Sequence, residues 1–135
     1  LEFKDFIGPR VLTPIFHRIV PFRDKRKSYP KAVRNNYDYL GYQVWPMSAV
    51  NEMRKLTNKV KKELPKIKCP ALVIHSTKDI LSLQSNISLV YNNISSEIKE
   101  KFIVHQANHN LFINNPDQEL IFQKINSFFN QFQRN

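Results

Sequence analysis

Apolar residues recur along this chain with more than one spacing, and the changes of spacing mark its elements. From Ser48 onward, Val50, Met53, Leu56, Val60 and Leu64 follow one another at steps of three or four, while Arg54, Lys55, Lys59, Lys61 and Lys62 fill much of the space between. That pattern predicts an amphipathic helix, opened by Ser48 as N-cap and closed before Pro65. "PALVIHS" (70–76) is instead a continuous apolar run with β-branched members. It predicts a strand buried on both faces, the habit of parallel sheets. Helical spacing returns at Ile87, Val90, Tyr91 and Ile94, and "KFIVHQ" (101–106) is a second strand candidate. "NNPDQELIFQKINSFFNQF" (114–132) predicts a closing helix with Asn115 as N-cap, Pro116 at the first helical position and Gln118 completing a capping box. Its apolar stripe, Leu120, Ile121, Ile125, Phe128, Phe129 and Phe132, reads as core packing.

The order strand, helix, strand, helix predicts an α/β fold with parallel strands joined by a right-handed crossover. Two strands do not form a stable parallel sheet alone, so further strands are expected beside them, and the chain reads as the closing part of a larger sheet. The first 45 residues are punctuated by Pro9, Pro14 and Pro21 and lack the alternation of a sheet, which leaves room only for short helices. The expected division is a mainly helical segment over 1–64 and a βαβα part over 65–135.

Composition narrows the chemistry. A chain of 135 residues supports one domain with a single core. Its two glycines, Gly8 and Gly41, rule out the phosphate-cradling loops of the common dinucleotide and ATP sites, and no cofactor is expected. The single cysteine, Cys69, excludes an internal disulfide and any zinc site of several thiolates; beside a strand start it reads as a small buried apolar group. The chain begins at Leu1 with no pattern of a signal or transit peptide, and no run approaches the roughly 18 to 20 apolar residues that span a bilayer. A soluble, cytoplasmic protein is expected.

The net charge of +10 belongs to one half. Residues 1–68 carry 16 Lys and Arg against 6 Asp and Glu, whereas residues 69–135 carry 5 of each. The densest basic run, "FRDKRKSYPKAVR" (22–34), is followed by Tyr37, Tyr39, Tyr42 and Trp45. Basic groups interleaved with aromatics bind nucleic acid or anionic lipid in some proteins and form a solvated face in most.

In open α/β sheets chemistry collects beyond the carboxyl ends of the strands. Asp79, three residues past the first strand, and His109, just past the second, occupy such places. A carboxylate that accepts the Nδ1 proton of a histidine leaves Nε2 free to take a proton from a nucleophile, so the two residues are candidates for two thirds of a triad. Asp79 also has the alternative of a turn former capping local backbone groups, and His109 that of a loop residue without a role. His105 and His109 would share one face as metal ligands only on a helix, and the strand run argues against that. His75 and His105 read as buried neutral strand residues, His17 has no evident partner, and no metal is expected.

With those residues in place, "LPKIKCPALVIHSTKDILSLQSNISLVYNNISSEIKEKFIVHQANHNLFINNP" (64–116) resembles the last third of a serine esterase or lipase of the α/β-hydrolase fold, of the bacterial carboxylesterase and monoacylglycerol lipase group. The resemblance rests on Pro70 before the strand, Asp79 after it, "YNNI" at 91–94, and His109 before an apolar pair. "SYPKAVRNNYDYLGYQVWPMSAVNEMRKLTNKV" (28–60) is similar to the lid segment of those enzymes. The similarity implies Asp79 and His109 as catalytic acid and base, a carboxylic ester as substrate, and a first segment that receives the acyl chain. Five features depart from the family pattern, one being that the oxyanion-hole loop, normally early in the fold, is missing. No G-x-S-x-G nucleophile elbow occurs; Asn108 and Asn114 stand where a glycine and an acidic residue are common; and "ILSLQS" lacks a frequent proline. Ser76 and Ser82 lie near Asp79 without an elbow.

The reading is the C-terminal part of a serine hydrolase of carboxylic esters, its nucleophile on a missing N-terminal part and this chain alone inactive. Contact with a membrane surface is compatible with it, and nucleic acid is not expected. The alternatives are a non-catalytic relative used as an interaction partner and a basic module for nucleic acid or anionic membranes.

Overall fold

The computed structural model describes residues 12–24 and 42–132. The predicted basic run at Lys25, Arg26 and Lys27, with Tyr29, Tyr37 and Tyr39, lies outside them. Two compact units divide the chain, one of residues 3–59 and one carrying residues 60–135.

In the first unit a short helix α1 (Thr13–Ile19), with Pro14 in its first turn, leads to strand β1 (Phe22–Asp24). This strand pairs antiparallel with β2 (Val44–Pro46), setting Arg23 opposite Trp45. No sheet was expected here, because three-residue strands are too short to show alternation. Helix α2 (Met47–Glu63) starts directly after β2, and the Met47 amide donates to the Pro21 carbonyl (2.8 Å). The predicted N-cap Ser48 therefore sits inside the first turn. The predicted end before Pro65 agrees: Leu64–Lys66 tightens into a 3₁₀ turn, where a proline is tolerated at the start.

The second unit holds the predicted strand–helix–strand–helix order: β3 (Ala71–Ser76), α3 (Ser85–Asn93), β4 (Lys99–Val104) and α4 (Gln118–Asn130). Strands β3 and β4 are parallel, with Leu72 opposite Glu100, Ile74 opposite Phe102 and Ser76 opposite Val104. Alternation along each strand sends these residues to the face that α4 covers. There Ile121 packs with Val104 and Ala107 in a core flanked by Ile74, Phe102, Leu111 and Ile125, and Lys124 pairs with Glu100. The opposite face meets α3, whose Tyr91 ring lies under the ammonium groups of Lys99 (5.0 Å) and Lys101 (4.7 Å). Lys99 also donates to the Tyr91 and Ile94 carbonyls at the end of α3, where a cation complements the helix dipole.

Five expectations are corrected. The strands are only half-buried over most of their length, since among the described residues the parallel sheet has two members. Cys69 is exposed, because the strand starts two residues later and Cys69 lies in the connection that precedes it. Strand β4 ends at Val104, so His105 lies beyond it, exposed, with Nδ1 3.3 Å from the Thr77 hydroxyl. Helix α4 begins at Gln118, not after Asn115, whose side-chain oxygen instead accepts the Asp117 amide in a preceding turn (3.0 Å). Its apolar stripe divides: Ile121 and Phe128 are buried, but Leu120, Phe129 and Phe132 are exposed. A groove of about 420 Å³ runs along this apolar surface between Leu72, Ile74, Ile125 and Phe129. His75, by contrast, is buried as expected.

Because Ile121 is fully buried and Leu120 half-exposed, truncation separates them. Ile121→Ala should cost about 2–5 kcal/mol in urea unfolding and Leu120→Ala within about 0.5 kcal/mol.

Candidate active site

Asp79 and His109 meet. The His109 Nδ1 atom lies 3.1 Å from Asp79 Oδ1 and 3.0 Å from Oδ2. An ionised carboxylate only accepts, so the proton of this contact sits on Nδ1, and in the neutral imidazole Nε2 keeps its lone pair. Among the described residues no cluster of His, Cys, Asp and Glu suits a metal ion.

Asp79 is fixed from its own side. Past β3 the chain turns, with the Asp79 amide donating to the Ser76 carbonyl (3.2 Å). Asp79 Oδ1 accepts the amides of Leu81 (2.8 Å) and Ser82 (3.0 Å), and Oδ2 accepts the Ser82 hydroxyl (2.6 Å). Turn former and partner of a histidine were alternatives for Asp79 in the sequence; the structure shows one carboxylate making both sets of contacts. Burial raises the cost of its charge, and the hydrogen bonds from His109, the Ser82 hydroxyl and the Ser82 and Leu81 amides outweigh that, holding the carboxyl well below its ordinary 3.8.

The side chain of His109 is 44% exposed, against 8% for Asp79. The hydrogen bond to Asp79 raises the His109 pKa above its ordinary 6.5, burial opposes the rise, and the negative charge of Asp79 adds to it. Asn108 Oδ1 accepts the Asn110 amide (2.8 Å) in a turn that spans His109, giving that asparagine a local function where the family pattern often has glycine. Asn114 takes φ 48°, the left-handed region that asparagine and aspartate tolerate best after glycine. Leu111, Phe112 and Ile113 line a recess of about 200 Å³ at the imidazole.

Three residues near the pair carried no expected role. Ser82 holds the Asp79 carboxylate. The buried Ser76 hydroxyl donates to the Ala107 carbonyl and accepts the Lys78 amide (3.1 Å). Asp117 Oδ2 accepts three successive amides, those of His105 (3.0 Å), Gln106 (2.5 Å) and Ala107 (2.9 Å). These donors, Gln106 foremost, hold the Asp117 carboxyl below its ordinary value against a smaller opposing effect of burial. The only sequence signal for Asp117 was an acidic residue at a helix start, which says nothing about a loop ten residues earlier.

A sequence model of the family described as serine aminopeptidase, S33, matches residues 23–117, more than half of the chain. The chain belongs to this family of α/β-hydrolases. No curated protein matches it. Among solved structures it is similar to one of the metagenome-derived lipolytic enzymes LipS and LipT, at 32% identity and TM-score 0.62 over 68% of this chain and 37% of that one. Two others share the fold. One is the monoacylglycerol lipase of Paleococcus ferrophilus (21% identity, TM-score 0.59, 88% of this chain and 50% of that one). The other is a soluble variant of the monoglyceride lipase of Saccharomyces cerevisiae in complex with a substrate analogue (14%, 0.64, 92% and 49%). The chain thus spans half or less of the length of each. No helix among the described residues is long and apolar enough to cross a membrane.

The two shifts set opposite pH limits on the stability of the pair. The lowered Asp79 pKa contributes above the ordinary 3.8 and is lost as pH falls through the folded value. The raised His109 pKa contributes fully below 6.5 and is lost as pH rises through its folded value. In an NMR titration His109 should therefore titrate above 6.5, and Asp79→Asn should move it down. An unchanged titration in that variant would show that the contact carries no charge interaction.

Proposed function

We propose that this chain supplies the acid and base of a Ser-His-Asp hydrolase that cleaves carboxylic esters of the acylglycerol class. The observation that carries the reading is the Asp79–His109 hydrogen bond, made by two loops that leave the carboxyl ends of adjacent parallel strands. Asp79 orients the imidazole and stabilises its charged form. His109 Nε2 takes the proton of a serine hydroxyl as the serine attacks the ester carbonyl, then gives it to the departing alcohol. Water repeats the cycle on the acyl-serine. The base works only when neutral, so the rate is expected to rise with pH through the elevated His109 pKa.

Family membership supports the triad chemistry. Esters are favoured by the likeness to a lipolytic enzyme at 32% identity and by the apolar recess at His109, lined by Leu111, Phe112 and Ile113. The nucleophile is placed on a segment outside these 135 residues, because no G-x-S-x-G occurs in them and the hydroxyls of Ser76 and Ser82 are already engaged. Residues 1–64 are assigned to a lid that receives the acyl chain, and 65–135 to the βαβα end of the hydrolase sheet.

The test compares this chain with the product of its complete reading frame on p-nitrophenyl butyrate. The 135-residue chain should show no turnover. The complete product should hydrolyse the ester, and Asp79→Asn or His109→Ala should lower kcat by roughly 10³–10⁴-fold. Turnover by the short chain, lost in His109→Ala, overturns the placement of the nucleophile. A complete product without esterase activity overturns the hydrolase reading in favour of a non-catalytic relative.

A further inference from the structure

His109 has little packing of its own. Its side chain is nearly half exposed, yet both Asp79 oxygens lie within 3.1 Å of its Nδ1. Something other than side-chain burial must fix where its Cα stands. The loop from β4 to His109 is held at one residue above all others, Ala107, which is fully buried. Its amide donates to Asp117 Oδ2 and its carbonyl accepts from the buried Ser76 hydroxyl, so both of its backbone polar groups are engaged by side chains.

The two holders come from different elements. Ser76 is the last residue of β3, three before Asp79, and ties the base loop to the strand that launches the acid. Asp117 stands at the start of α4, whose Ile121 packs on Ala107, and gathers the amides of 105–107 on a single oxygen. Two lesser contacts join the same loops: Lys78 donates to Gln106 (2.6 Å) and Thr77 meets His105. We propose that Ser76 and Asp117 are positioning residues that grip Ala107 from both sides and thereby set the base against the acid. This rests on the Asp79–His109 pair acting as proposed above, and neither holder touches the reacting atoms.

A backbone clamp and a distant charge predict different responses, because Asp117→Asn removes the charge and retains an acceptor oxygen, whereas Ser76→Ala changes no charge. In the 135-residue chain, an NMR titration of His109 and the downfield resonance of its Nδ1 proton report the contact with Asp79. Asp117→Ala and Ser76→Ala should each raise the proton dissociation constant of His109 by about threefold or more and broaden the resonance, with Asp117→Asn falling between wild type and Asp117→Ala. Wild-type behaviour in Asp117→Ala overturns the proposal, and so does equal behaviour of the Asn and Ala variants. If Asp117→Ala does not fold, Ser76→Ala decides: an unchanged titration overturns the clamp and a shifted one upholds it. The readout needs no ester turnover, so its failure is distinct from failure of the hydrolase reading, which loss of turnover in His109→Ala tests separately.

Discussion

The parallel register of β3 and β4 is the constraint on which the site depends. Ser76 and Val104 are opposite one another, and each is the last residue of its strand. Both loops therefore leave the sheet at the same level, about 4.8 Å apart at the strand spacing, and the next hydrogen bond, Thr77 amide to Val104 carbonyl, carries the pairing one step past the strands. A slip of one residue would also exchange the faces of β4, sending Phe102 and Val104 toward α3 and the lysines toward α4. Core and site thus share a single register: the apolar side chains that select it bring Asp79 within reach of His109.

Beyond the register, carboxylates do most of the fixing. Asp79 and Asp117 each accept several donors, and an ionised carboxylate has about four lone-pair sites with which to do so. Asp79 divides its capacity between its own turn and His109, so the turn that shapes its loop also aims its carboxylate at the imidazole. Asp117 spends its Oδ2 on three amides left without partners where β4 stops. Asparagines complete the loop: Asn108 spans His109, Asn115 donates to the carbonyls of Asn110 and Leu111, and Asn114 supplies the left-handed residue between them. In a chain with two glycines, asparagine takes positions that glycine commonly fills.

How much of this was legible in the sequence follows from how local each signal is. The β3–α3–β4–α4 order was readable from period alone, and Asp79 and His109 from their places after the apolar runs. Ser76 and Asp117 were not, because their partners lie 31 and 10 to 12 residues away and no spacing rule links a helix start to the end of a preceding strand. The misplacement of His105 has the same origin. Composition extends the apolar run through it, while its amide, past the end of the ladder, donates to the Asp117 carboxylate. Cys69 shows the opposite failing, a burial tendency of the residue type overruled by its position in a connection.

The +10 of the chain resides in residues 1–68, while residues 69–135, which carry Asp79 and His109, are balanced. Among the described residues, the donors that hold the low pKa of Asp79 include two amides, one hydroxyl and one imidazole. Hydrogen bonds at contact distance are screened much less by salt than a field from distant lysines, which fades over about 8–10 Å at physiological ionic strength.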